Sequence, residues 1–98
     1  GIPAEPLFRS VWFMKSKVEQ LKTTFVDKGI PVIVGEYGTC CGNDEASRVK
    51  FCEDFVSFCT EAGIPTYIWD DGGLFLRADM KWQNEDIING IKKAAGVK

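Results

Sequence analysis

Few side chains in these 98 residues are equipped for chemistry, and the most suggestive of them stand at echoing positions. Glu36 follows the apolar run Val32-Ile33-Val34-Gly35, and Asp70 follows Thr66-Tyr67-Ile68-Trp69. A carboxylate can serve as nucleophile, general acid or general base, and an indole such as Trp69 offers a flat apolar face on which a sugar ring can stack. Both residues also have plainer readings, Glu36 as an ion-paired or helix-capping loop acid and Trp69 as core. Histidine is absent. That removes His-ligated metal sites and Ser-His or Cys-His catalysis from within the chain and leaves acid–base work to carboxylates.

The four cysteines are Cys40, Cys41, Cys52 and Cys59. Cys52 and Cys59 are seven residues apart on an expected helix, about 10.5 Å along its axis, too far for a mutual disulfide. They read as small buried hydrophobes. Cys40-Cys41 falls in a loop and could bind metal, form a vicinal disulfide or stay reduced. The spacing matches no standard zinc pattern, so no metal and no cofactor is expected.

The elements that must hold Glu36 and Trp69 are legible around them. Residues 1–10 contain two prolines and no clear period, and are expected to be irregular. From Trp12 to Lys28, Met14, Val18, Leu21 and Phe25 recur at helical spacing, and Gly29 with Pro31 supplies the stop. Residues 31–35 then read as a short, fully buried strand. A second helix is expected from Asn43 or Asp44 to Ala62, with Val49, Cys52, Phe55, Val56 and Cys59 inward. Residues 65–69 form a second strand and 74–82 a small hairpin or extended loop. Asn84 should cap a last helix that turns Ile87, Ile88 and Ile91 inward.

The segments beginning Gly29-Ile30-Pro31 and Gly63-Ile64-Pro65 are offset by 34 residues. Each is a helix stop, a strand and a terminal carboxylate, the period of successive αβ units in a parallel sheet. Such sheets, open or closed into a barrel, place chemistry at the C-terminal ends of their strands. Strict alternation puts Val32, Val34 and Glu36 on one face and Ile33, Gly35 and Tyr37 on the other. If the Val32 face is a barrel interior, Glu36 points into the mouth. The one-residue offset between neighbouring barrel strands brings Trp69 to a similar height.

Composition narrows the partners. Twelve basic and fourteen acidic residues give a net charge of −2, with no block of either sign, which disfavours nucleic-acid binding. No apolar run is long enough to span a membrane, and no signal segment opens this stretch.

Val32-Ile33-Val34-Gly35-Glu36-Tyr37-Gly38, a following helix containing Arg48, Gly63-Ile64-Pro65, Ile68-Trp69-Asp70-Asp71-Gly72 and the tail from Gly73 to Trp82 together resemble the C-terminal quarter of a glycoside hydrolase family 5 cellulase. The resemblance covers roughly residues 15 to 95. It implies an α/β fold, the C-terminal portion of a (β/α)8 TIM barrel, with residues 1–98 a partial catalytic domain supplying strands seven and eight and their helices. Glu36 then matches the catalytic nucleophile, Trp69 the sugar platform, and Asp71 a substrate contact standing where the family usually has Asn. Leu76 stands where the tail often has Asp. The partner carboxyl of the family lies in an Asn-Glu-Pro motif that is not present in this sequence. Asp70 is turned away from the Trp69 face by alternation and is a poor substitute.

The resemblance further implies a secreted endo-β-1,4-glucanase acting on β-glucan polysaccharide, and a cis peptide between Trp69 and Asp70. Partners are then the polysaccharide and either the rest of the barrel or a second copy of the chain, with no nucleic acid and no membrane. Mannanase or licheninase activity is the nearest enzymatic alternative. From other classes, a stand-alone carbohydrate-binding module using Trp69 and Trp82, or a small α/β structural module, remains open.

Overall fold

Both Gly-Ile-Pro segments end helices in the same way. In the computed structural model, which describes residues 4–38, 45–70 and 73–97, Gly29 and Gly63 adopt left-handed φ values of 79° and 75°. The isoleucine after each glycine donates its backbone N–H five residues back, Ile30 to Phe25 at 3.0 Å and Ile64 to Cys59 at 2.8 Å. This satisfies carbonyls that a helix end leaves unpaired and turns the chain into the following strand. Proline then forbids a return to helix.

The elements run α1 (Ala4–Thr24), a 3-10 turn (Val26–Lys28), β1 (Val34–Tyr37), α2 (Glu45–Glu61), β2 (Thr66–Ile68), β3 (Phe75–Leu76), β4 (Lys81–Trp82) and α3 (Glu85–Ala94). β1 and β2 pair in parallel across α2, and β3 and β4 form an antiparallel hairpin. The expected βαβ unit, hairpin and last helix are therefore all present. Asn84 caps α3 as its residue type suggests, its Oδ1 accepting from Asp86 N at 3.1 Å and Ile87 N at 3.4 Å.

Three expectations need correction. Residues 4–10 are helical, not irregular. Pro6 sits in the first turn of α1, where a backbone N–H has no intrahelical partner to lose. α1 ends at Thr24, so Phe25 is partly exposed and Val26 packs into the core in its place. The strands are shorter than expected and open on one side. β1 begins at Val34, whose N–H makes the first ladder bond, to Pro65 O at 2.9 Å.

Two apolar clusters lie between the sheet and the helices. Val18, Cys59, Ala62 and Ile64 form one, with Val32, Val34 and Phe55 against it. Cys52, Leu74 and Ile87 form the other, with Tyr37, Ile68 and Ile91 against it. Each fully buried aliphatic side chain contributes about 1.5–3 kcal/mol. α2 and α3 meet closely at Gly90, where an added Cβ would lie 2.7 Å from Glu53 Cγ. Only glycine lets Glu53 lie across α3 there.

Cys52 and Cys59 are free, fully buried thiols, as their spacing implies. Burial pushes both from an ordinary value near 9 up to about 11. Below pH 9 the folded and unfolded chains both hold these protons. Between pH 9 and 11 the unfolded chain releases them first, so stability should fall by up to about 3 kcal/mol per thiol and then level off. Tyr37 adds a further loss above pH 10, since burial first, and the neighbouring thiolates second, raise its hydroxyl. Urea midpoints at pH 8 and pH 10.5 check this. Replacing both cysteines by alanine should remove most of the drop, and an unchanged drop would contradict the assignment. Cys40 and Cys41 lie outside the described residues.

Candidate active site at the strand ends

β1 does not alternate as a regular strand would. Val34 pairs with Thr66 and Tyr37 with Ile68, so three steps along β1 match two along β2. The extra residue is a bulge, and it changes which side chains share a face. Val34 is packed in the first cluster and Tyr37 in the second, both on the helix side. Gly35 and Glu36, between them, are both exposed.

The expectation that Val32, Val34 and Glu36 share one face is thereby overturned. Val32 and Val34 face the helices, and the open face carries Ile33, Tyr67 and Trp69, which are 63%, 58% and 57% exposed. The bulge takes Glu36 out of that alternation, and Glu36 is exposed, whereas Val34 and Tyr37 on either side of the bulge are packed. Tyr37 fixes the bulge from behind. Its ring lies 5.0 Å from that of Phe55, and its hydroxyl is engaged by the Thr66 side chain.

On β2, Thr66 and Ile68 turn toward the helices and Tyr67 and Trp69 away. Trp69 N donates to Tyr37 O at 2.7 Å, which sets the indole's backbone directly beside the residue that follows Glu36. Gly38 adjoins it, since a Cβ there would stand 3.9 Å from Trp69 Cβ. Glu36 and Trp69 thus stand near the C-terminal ends of neighbouring paired strands, and both are exposed. The parallel pairing expected from the sequence is present, but strict alternation along β1 is not.

Asp71, the third candidate, lies outside the described residues. Asp70 is half-buried, and its Oδ1 accepts the Leu74 N–H at 3.2 Å. The Trp69–Asp70 bond is trans, as are all described peptide bonds, which corrects the cis bond that the resemblance implied. A cis non-prolyl bond costs about 3–4 kcal/mol and persists only where surroundings enforce it, and Trp69 stands largely exposed. Trp82 packs edge-on against Phe75 across the hairpin, ring centroids 4.9 Å apart. No cluster of metal-ligating side chains occurs among the described residues, and none of the described helices is long and apolar enough to cross a membrane.

A βαβ unit with a carboxylate near the end of one strand and an indole just past the end of the next defines an α/β protein of the class that places its sites at the C-terminal ends of parallel strands. Comparison with known proteins narrows this to a family. The profile described as Cellulase (glycosyl hydrolase family 5) matches residues 8–73, and the chain belongs to that family. It is 38% identical over 80 residues to Endoglucanase B of Paenibacillus lautus, covering 76% of this chain and 14% of that protein. It is 38% identical over 86 residues to Endoglucanase 1 of Ruminococcus albus, covering 79% of this chain and 21% of that protein.

Among solved structures, a GH5-4 broad specificity endoglucanase of Clostridium cellulovorans superposes with a TM-score of 0.84 at 26% identity, covering 87% of this chain and 28% of that one. A glycoside hydrolase 5 lichenase of Caldicellulosiruptor sp. F32 superposes with a TM-score of 0.82 at 29% identity, covering 89% and 26%. The chain thus spans about a quarter or less of the length of these relatives. Family 5 enzymes are TIM barrels, and the α/β unit seen here is a small piece of that architecture.

Proposed function

We propose that residues 1–98 form the C-terminal part of a (β/α)8 barrel, with β1 as strand seven, β2 as strand eight and α3 as the closing helix. The whole protein, in this reading, is a secreted endo-β-1,4-glucanase. The observation that supports it is the parallel pairing of β1 with β2, which sets Glu36 and Trp69 near the C-terminal ends of adjacent strands. In this reading the exposed face becomes the barrel interior once the remaining strands close around it.

The mechanism is a double displacement. Glu36 attacks the anomeric carbon while the glycosidic bond breaks, and the leaving oxygen takes a proton from a carboxylic acid elsewhere in the barrel. Water, deprotonated by that same group, then releases the sugar from Glu36. Trp69 lies beneath the sugar at the point of cleavage, and Asp71 contacts its hydroxyls. The names of the relatives, endoglucanases with a lichenase among the structural neighbours, favour β-glucan over mannan.

The test is hydrolysis of soluble β-1,4-glucan by the complete polypeptide, with the product anomer followed by NMR. Release of β-anomer from a β-linkage is the expected result. Inversion to the α-anomer, or no hydrolysis, would contradict the reading.

A further inference from the structure

Asp70 occupies the position of Glu36 in the 34-residue echo but is used differently. Its Oδ1 accepts the N–H of Leu74, a bond that spans the loop between β2 and the hairpin. Leu74 is a junction. Its side chain is buried with Cys52 and Ile87, and its carbonyl accepts the Gln83 N–H at 2.7 Å, which closes the base of the β3–β4 hairpin. The hairpin follows β2 in the chain, and the two residues just beyond Trp69 and Asp70 lie outside the described residues. The residue that follows the indole is therefore hydrogen-bonded to the residue on which the hairpin stands.

We propose that Asp70 is a positioning residue, whose carboxylate ties the strand end bearing Trp69 to the base of the hairpin and so fixes the indole's backbone. The catalytic half of this statement rests on the glucanase reading above; the tie itself does not. Asp70 acts as a hydrogen-bond acceptor and transfers no proton. A charge-assisted acceptor spanning a loop is among the stronger hydrogen bonds available to it.

Asp70→Asn retains an Oδ1 acceptor at the same place, while Asp70→Ala removes it. In the complete polypeptide, amide exchange at Leu74 and Gln83 should quicken about tenfold or more in the alanine variant and stay within about twofold in the asparagine variant. On soluble β-glucan, the alanine variant should raise KM several-fold with a smaller change in kcat, and the limbs of the pH profile should not move. The asparagine variant should restore KM.

Unchanged exchange at Leu74 in the alanine variant would overturn the tie. Faster exchange with KM unmoved would overturn the positioning role and leave Asp70 a loop brace. Loss of turnover by about 100-fold or more in the asparagine variant would mean that the carboxyl's proton or charge is used in the chemistry, and would overturn the proposal from the other side. If the unsubstituted protein hydrolyses no β-glucan, the glucanase reading and the positioning of Trp69 for catalysis fall together, and Leu74 exchange decides the tie by itself.

Discussion

Glu36→Gln in the polypeptide that completes the barrel is expected to reduce turnover of β-glucan by about 10⁴-fold or more, the scale on which removal of a covalent nucleophile is felt. The substitution keeps the volume and planarity of the side chain and removes only its charge and nucleophilic oxygen. Tyr37 holds the bulge from the other side of the sheet through Phe55 and Thr66, so the fold has no reason to change. Substrate binding should be nearly unaltered, because Trp69 and the remaining cleft supply ground-state contacts. A large fall in kcat with little change in affinity is the signature of an interaction made in the transition state. Turnover within tenfold of the unsubstituted protein would remove Glu36 from the nucleophile's role.

The second large effect concerns the 98 residues by themselves. In the proposed reading they carry one carboxylate of the required pair, and without the acid the leaving oxygen departs unprotonated. Glycosidase activity should therefore be undetectable. The described parallel sheet has two strands, so each has an edge with backbone groups that no neighbouring strand satisfies. Ile33, Tyr67 and Trp69 stand exposed on its open face, and an apolar face of this kind favours association. Light scattering on the eluting peak should show self-association, or docking when the rest of the barrel is supplied. A stable monomer would contradict the structural half of this prediction. Activity that survives removal of contaminating enzyme, and is lost with Glu36→Gln, would contradict the catalytic half.

The parts of the fold legible in sequence are those decided within a few residues. The Gly-Ile-Pro stops read correctly because a left-handed glycine, a back-bonded isoleucine and a proline act over one turn of chain. Asn84 reads correctly because its amide reaches only to Asp86 and Ile87. The inner face of α2 follows from its period, as Cys52, Val56 and Cys59 confirm by their burial. What escaped detection depends on distant partners. The bulge at Gly35–Glu36 exists because Tyr37 turns toward Phe55 and Ile68, and alternation along β1 carries no sign of that. The helical start of α1 escaped because two prolines in ten residues argue against helix unless the one inside it falls in the first turn.

The candidate site shows the same division. Glu36 and Trp69 stand out by residue type at the ends of apolar runs, and parallel pairing places those ends side by side. The break in alternation that sets Glu36 apart from Val34 could not be read without the bulge. Asp70 looks in sequence like a second Glu36. Only the bond from the Leu74 N–H shows its carboxylate engaged with backbone.

The most direct measurement is to trap the glycosyl-enzyme. A fluorinated cello-oligosaccharide donor that reacts quickly and hydrolyses slowly should inactivate the complete polypeptide, and peptide mass spectrometry should locate the added sugar. The account predicts one sugar per chain, esterified to Glu36, with labelling abolished by Glu36→Gln. A sugar found on any other carboxylate, with Glu36 unmodified, would contradict it.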